Sequence, residues 1–373
     1  MLPPAEDGGV PAGAAAANDS DSALQTHAFT FTGSGKEYFR IWIVNLLLTV
    51  VTLGIYSAWA KVRRLQYFDR NTQLAGASFD FDGDPKAILR GRIVAVVLLA
   101  AYNYAFGFSL AVGMGIVGML LLTLPFMMRG ALRFRLRNTR YRGLRFNFSG
   151  TVKGAYLAYL PPLVLFLFPA ALLALDPTGA LLFPFFAAYL GWPLMHGAMK
   201  RYQHRHLEFG SLQSSFDVKK RRFFKPYLVA MGLWVAVVIG MVIAFAALAF
   251  VAGPNNKNVP PLFLFLPLLM GLVMAYLIYL IAGPYVQVRV GNLVWSNTCF
   301  PGIRISSFLK ARGYMKLLTV NTVLTILTLG LYRPFAVVRS YEYRLAHMTV
   351  ETDGSFEHVA AGVNGPSRAA ASD

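Results

Sequence analysis

The side chains that could do chemistry are few and scattered. Gly33, Ser34, Gly35 and Lys36 spell the end of a phosphate-binding loop, but Glu37 stands where Ser or Thr would ligate magnesium. Thr30 also replaces the earlier glycine of that loop. Asp80, Asp82 and Asp84 imitate the opening of a calcium loop, yet Pro85 follows and Gly91 occupies the twelfth position, where a bidentate Glu belongs. His196, His204, His206 and Glu208 form one cluster with metal-capable side chains. His204 and His206 share a face only on a strand, and a metal site normally needs three or four convergent ligands. The lone Cys299 excludes an intramolecular disulfide and any Cys-rich metal site. Turn and helix-end chemistry accounts for these residues, so no catalytic, metal or cofactor-binding residue is assigned and no cofactor is expected.

The surrounding composition points to a bilayer. The 373 residues are 56% hydrophobic and 14% charged, with a net charge of +18, which is too apolar for an ordinary soluble domain. Such a charge could suit nucleic acid, but the basic residues punctuate long apolar runs instead of covering a polar surface. Anionic lipid headgroups are therefore the expected partner, and nucleic acid is not. Arg129, Arg133, Arg137, Lys219, Lys220, Arg221 and Arg222 are the candidate headgroup ligands, each contributing on the order of 1 kcal/mol.

Following the basic residues gives the topology, since cytoplasmic loops keep positive charge. The hydrophobic stretches are 41–60, 93–128, 154–199, 226–288 and 317–332. A span needs about 20 apolar residues, so the three long stretches should each hold a transmembrane hairpin, six spans in all. Their turns fall near Gly107 to Gly115, Asp176 to Gly179 and Gly253 to Pro261. With those turns outside, nearly all the basic residues and both termini lie in the cytoplasm. The two shorter stretches share Asn45/Asn321, Thr49/Thr325, Thr52/Thr328, Leu53/Leu329, Gly54/Gly330 and Tyr56/Tyr332. Each either re-enters, turning at its Gly and leaving as an interfacial helix such as Ser57 to Arg70, or spans outright, giving eight spans.

A second repeat organises the polar segments. Asn71 to Lys86 returns as Asn138 to Lys153, with Asn, Thr, Gly, Phe-x-Phe, Gly and Lys in register. Part of the unit recurs as Phe29, Phe31, Gly33 and Lys36, and another part as Asn297, Thr298 and Gly302. These units read as short cytoplasmic β-hairpins that pair with one another or lie on the helix ends. The N-terminal strand should meet a C-terminal strand near His347 to Glu351. The expected fold is an α-helical polytopic membrane protein built from internal repeats: a tail at 1–27, one membrane domain at 28–360 and a second tail at 361–373.

FTFTGSGKEYFRIW at Phe29 to Trp42, TLGIYSAWAKVRRLQYF at Thr52 to Phe68, the Asn-Thr-x3-Gly-x2-Phe-x-Phe-x-Gly units and TLGLYRPFAVVRSYEY at Thr328 to Tyr343 carry a resemblance. In these segments the chain resembles the YjgN-type family of bacterial inner-membrane proteins. The resemblance implies a multi-pass inner-membrane location; it brings no established activity and no site residues.

Functionally, the apolar stretches contain Asn, Thr and Tyr but almost no acids, which argues against an ion-coupled pump and against a hydrolase needing a positioned base. The expectation is a non-enzymatic protein that passively translocates a small solute or lipid cargo, with Asn45 and Asn321 as candidate pathway-lining residues. The alternative is a scaffold or regulator that binds anionic lipid or an acidic protein partner through a basic cytoplasmic face. Homo-oligomers are compatible with either.

Overall fold

The computed structural model describes residues 25–252 and 261–352. The tails read from the sequence and most of the turn at Gly253 to Pro261 lie outside the described residues; Gln25 to His27, assigned above to the first tail, are already strand.

The chain opens with β1 (Gln25–Phe31), α1 (Gly35–Val51) and α2 (Ser57–Arg70). Strands β2 (Thr72–Leu74) and β3 (Ala77–Phe81) lead into α3 (Pro85–Phe108) and α4 (Leu110–Arg137). After β4 (Thr139–Tyr141) and β5 (Leu144–Phe148) comes α5 (Val152–Leu175), with a broken return through α6 (Leu182–Ala187) and α7 (Trp192–Arg205). Strands β6 (Leu207–Phe209), β7 (Leu212–Gln213) and β8 (Ser215–Phe216) precede the long α8 (Phe224–Ala252) and α9 (Pro261–Trp295). The described chain closes with β9 (Thr298–Phe300), β10 (Ile303–Ser307), α10 (Ala311–Leu327), α11 (Arg333–Leu345) and β11 (Met348–Thr352).

The Asn-Thr pairs end helices. Asn71, Asn138 and Asn297 donate through Nδ2 to Tyr67, Phe134 and Leu293 carbonyls, and Thr72, Thr139 and Thr298 donate through Oγ1 to Phe68, Arg135 and Val294. These are last-turn carbonyls that a helix end leaves without intrahelical partners. The next turns are equally local: Ala75 and Gly76 (φ 46° and 76°), like Arg142 and Gly143 (φ 48° and 80°), place two consecutive residues in the left-handed region. That is the two-residue hairpin geometry whose twist suits antiparallel strands. Helix starts use Ser34, Asp84, Ser109 and Thr151 as N-caps.

The copies pair with one another, one of the two arrangements expected, and go beyond hairpins to join in one antiparallel sheet of order β7-β6-β5-β4-β3-β2-β1-β11-β10-β9-β8. Its two ends, β7 and β8, are separated in sequence by Ser214 alone, so the sheet comes back on itself as a near-barrel. Closure works because the longer strands serve two neighbours. β1 pairs Gln25 to Ala28 with Thr352 to Thr349 of β11 and Phe29 to Phe31 with Leu74 to Thr72 of β2. The two ends of the described chain therefore meet, as the sequence predicted. Inside the barrel, Leu74, Tyr141, Phe209, Ile303 and Val350 are buried against Phe29, Phe79, Phe146 and Ile305. The rings run in contact from Phe29 through Phe79, Tyr141 and Phe146 to Phe209.

The helices stand on one end of this sheet and pack in succession: α1 on α2, α2 on α3, and so on through α11, which returns to α1, with α7 continuing from α5. Five of them, α3, α4, α5, α8 and α9, are long and apolar enough to cross a membrane. The expected turns at Ser109 and after Leu175 are present. The sixth expected span is not one continuous helix. Its segment breaks at the 3-10 turn Ala188–Gly191, after which α7 restarts with Pro193 in its first turn, where a proline's missing N–H costs least.

The pairs α1–α2 and α10–α11 are shorter. Each turns through a left-handed Leu-Gly, Leu53–Gly54 and Leu329–Gly330, and a 17-residue helix reaches only about 25 Å. Leu53 and Leu329 at the tips are 94% and 95% exposed. Such tips are compatible with lipid and unfavourable in water.

Candidate functional site

The junction where the helices meet the barrel collects the polar and charged residues. Its scaffold explains the Phe-x-Phe-x-Gly signature. Alternation puts both phenylalanines on one face of the strand; Phe79 and Phe146 fill the barrel, whereas Phe81 and Phe148, 0% and 1% exposed, sit against Gly83 and Gly150. A Cβ on either glycine would come within 2.5 Å of that ring, so the motif encodes a close approach at the barrel-to-helix corner. Gly33 meets Phe31 and the Tyr67 hydroxyl in the same manner, each at 2.7 Å from a Cβ built there.

The residues resembling a phosphate loop and a calcium loop are occupied structurally. Ser34 and Glu37 form a capping box at the start of α1, and the Tyr67 hydroxyl donates to the Ser34 carbonyl at 2.8 Å. Burial foremost pushes the Tyr67 hydroxyl up to about 12. Asp80 pairs with Arg70 at 2.7 Å, Asp82 with Arg140 at 2.9 Å, and Asp84 caps α3 through Lys86 N. His204 lies in the last turn of α7 and His206 at its C-cap, not on a strand. Nδ1 of His206 bonds the Tyr202 carbonyl, whereas Nδ1 of His204 meets Thr298 Oγ1 at 3.1 Å. Among the described residues no three of His, Cys, Asp and Glu are grouped to hold a metal ion.

The candidate headgroup ligands fall on two arcs of the junction. Arg129, Arg133 and Arg137 are spaced by four along the end of α4. Arg129 reaches the Gly150 carbonyl at 2.6 Å, while Arg133 and Arg137 are exposed. Lys219 precedes the 3-10 turn Lys220–Phe223, and Lys219, Lys220, Arg221 and Arg222 are all exposed. None of the seven takes part in the three ion pairs found among the described residues.

Asn45 and Asn321 are both buried, at equivalent places in the short helical pairs. Asn321 Nδ2 donates to the Ala336 carbonyl and Ser340 Oγ of α11, each at 3.3 Å. Its hydrogen bonds thus stay within its own helical pair, and Oδ1 of both asparagines is buried without a partner.

Two features had no motif to announce them. Asp69, in the last turn of α2, is pushed up to about 6 by burial and by the charge of Asp80, against the pull of Arg135. Beside the sheet, a cavity of about 530 Å³ opens between the ends of α7, α9 and α11, with Lys200, His204, Trp295 and Arg344 in its wall. Lys200 and Arg344 lie 144 positions apart in the chain, and only the successive packing of the helices brings them to one space.

No solved structure matches the chain. The inner membrane protein YjgN of Salmonella typhimurium is 27% identical over 358 residues, covering 88% of this chain and 89% of that protein. Inner membrane protein YjgN of Escherichia coli K12 is 33% identical over 137 residues, a stretch that spans 35% of this chain and 33% of the relative's own length. A family model described as "Bacterial protein of unknown function (DUF898)" matches residues 26–373. With that model covering the barrel and all of the helices, the chain belongs to the DUF898 family, whose relatives named here are inner membrane proteins.

Proposed function

We propose that the protein is a non-enzymatic membrane scaffold or regulator that grips anionic lipid at the cytoplasmic leaflet and holds a closed sheet there for an acidic protein partner. The observation that carries this reading is exposed positive charge around a filled barrel. Arg133, Arg137 and Lys219 to Arg222 stand free of ion pairs at the junction, at the level where basic residues meet headgroups. The aromatic packing inside the sheet leaves little room for an axial conduit.

In this reading the succession of strand, helical pair and strand is one unit used five times, with the units' strands closing the barrel and both termini on its cytoplasmic side. Positions 74, 141, 209, 300 and 350 are the matching interior residues. Passive translocation is the weaker reading because Asn321 braces its own helical pair.

The test is reconstitution in nanodiscs of mixed neutral lipid and phosphatidylglycerol, followed by gentle delipidation and a count of retained lipid. Wild type should retain excess phosphatidylglycerol, and replacing Lys219, Lys220, Arg221 and Arg222 with Gln should remove that excess in a salt-dependent way. Accelerated lipid scrambling or solute release from proteoliposomes would instead restore translocation and overturn the scaffold.

A further inference from the structure

The cavity beside α7, α9 and α11 points to a site separate from the basic belt. We propose that it binds a phosphate-bearing anion, held between Lys200 and Arg344. Its wall contains both of these cations with His196 and His204, and no Asp or Glu. Neither Lys200 nor Arg344 takes part in an ion pair found among the described residues.

Each of these groups is oriented and keeps donors in reserve. Lys200 Nζ bonds Gln203 Oε1 at 3.2 Å, which uses one of an ammonium's three donors. Arg344 Nε donates to the Tyr314 hydroxyl at 3.1 Å, and the guanidinium lies over the Tyr314 ring at 5.2 Å. Tyr314 is only 2% exposed, so the guanidinium rests on a rigid platform. The Tyr227 hydroxyl accepts from Trp192 Nε1 at 3.2 Å and shares a hydrogen bond with His196 Nδ1 at 2.8 Å, which fixes the imidazole ring in the cavity wall.

A half-buried Lys200 ammonium without a counter-charge is costly, and an anion that meets it together with the exposed Arg344 guanidinium removes that cost. A guanidinium fork and an ammonium in the wall of one cavity suit phosphate oxygens, and two positive charges match a phosphate better than a carboxylate. The volume falls within the range of roughly 300–1,000 Å³ typical of small-ligand sites. Running from His204 back to His196, the wall follows α7 for about 12 Å from the sheet toward the membrane. A phospholipid headgroup and a soluble phosphate ester share the chemistry this space selects.

The test uses the full chain in neutral detergent with two probes: inorganic phosphate, read by a saturable rise in Tm, and phosphatidylglycerol, read by native mass spectrometry as one lipid surviving exchange. At least one probe should saturate. Lys200→Met and Arg344→Gln should each weaken it by about tenfold or more, as expected for loss of a charge-assisted hydrogen bond. Lys200→Arg should retain binding, and Lys219→Gln with Lys220→Gln should lower the excess lipid held by the belt without changing the midpoint of the saturable cavity signal, which keeps the two results distinct. Saturation by phosphate with no lipid surviving exchange identifies a soluble phosphate ester, and one lipid surviving exchange identifies a headgroup. If Lys200→Met fails to elute as a single folded species, the exposed Arg344→Gln decides. The proposal is overturned if neither probe saturates, or if the folded variants bind as well as wild type.

Discussion

Replacing Asp69 with Asn should stabilise the protein at neutral pH, and the gain should disappear in acid. Burial raises the Asp69 carboxyl from its ordinary 3.8 to about 6, with Asp80 adding to the rise and Arg135 opposing it. At 1.36 kcal/mol per pH unit, keeping this group ionised in the folded protein costs about 3 kcal/mol. A carboxyl whose folded value is raised contributes its stability below 3.8, and that stability is lost as pH rises through 6. At pH 7.5 wild type therefore carries the full cost and Asp69→Asn does not, whereas below pH 4 the two should coincide. For a chain of this length, about 3 kcal/mol corresponds to a rise in Tm of about 4 to 5 °C. The assay is intrinsic tryptophan fluorescence during thermal unfolding in detergent, from pH 4 to pH 8. Equal Tm values at pH 7.5, or a gain that does not shrink below pH 6, would refute the assignment of a buried, reluctantly ionised carboxylate. Arg135→Gln sharpens the result: without the opposing cation, wild-type Asp69 should become costlier still at pH 7.5, and the benefit of Asn should grow.

The corner glycines give a paired expectation. Gly83→Ala should cost about 1–3 kcal/mol, because its Cβ meets the Phe81 ring at 2.5 Å and Phe134 at 3.0 Å, whereas Gly118→Ala, with nothing within 4 Å, should stay within about 0.5 kcal/mol of wild type in thermal unfolding. Asn321→Leu exchanges two long hydrogen bonds and an unpartnered Oδ1 for an apolar group; its stability should change by no more than about 1 kcal/mol in either direction, with phosphatidylglycerol retention unaltered. A solute or lipid flux that disappears in this variant would return Asn321 to a pathway.

What could be read from the sequence was whatever is settled within a few residues. Asn-Thr before a short strand marks a helix end because those two side chains reach the last-turn carbonyls, and Phe-x-Phe-x-Gly marks a corner because the second ring needs a neighbour without a side chain. Copies of these local rules were enough to bring the chain ends together. Closure of the sheet was not legible, since it depends on each longer strand dividing its register between two partners, as β1 does at Ala28 and Phe29. The seam lies at Ser214, in the stretch where the Asn-Thr-Gly pattern has decayed; there Ser214 N donates to Leu207 O and Ser214 Oγ to His204 O, replacing ladder bonds with side-chain stitching. His204 and His206 could have shared a face only on a strand, and α7 continues to Arg205, so they stand at a helix end instead. The basic belt was legible as runs of like charge. Lys200 and Arg344 were not, because within their own helices each is one more cation near a membrane edge. Only the order in which the helices pack turns these separate helix-end residues into two positive charges facing one space, and no periodicity within a single segment can encode that.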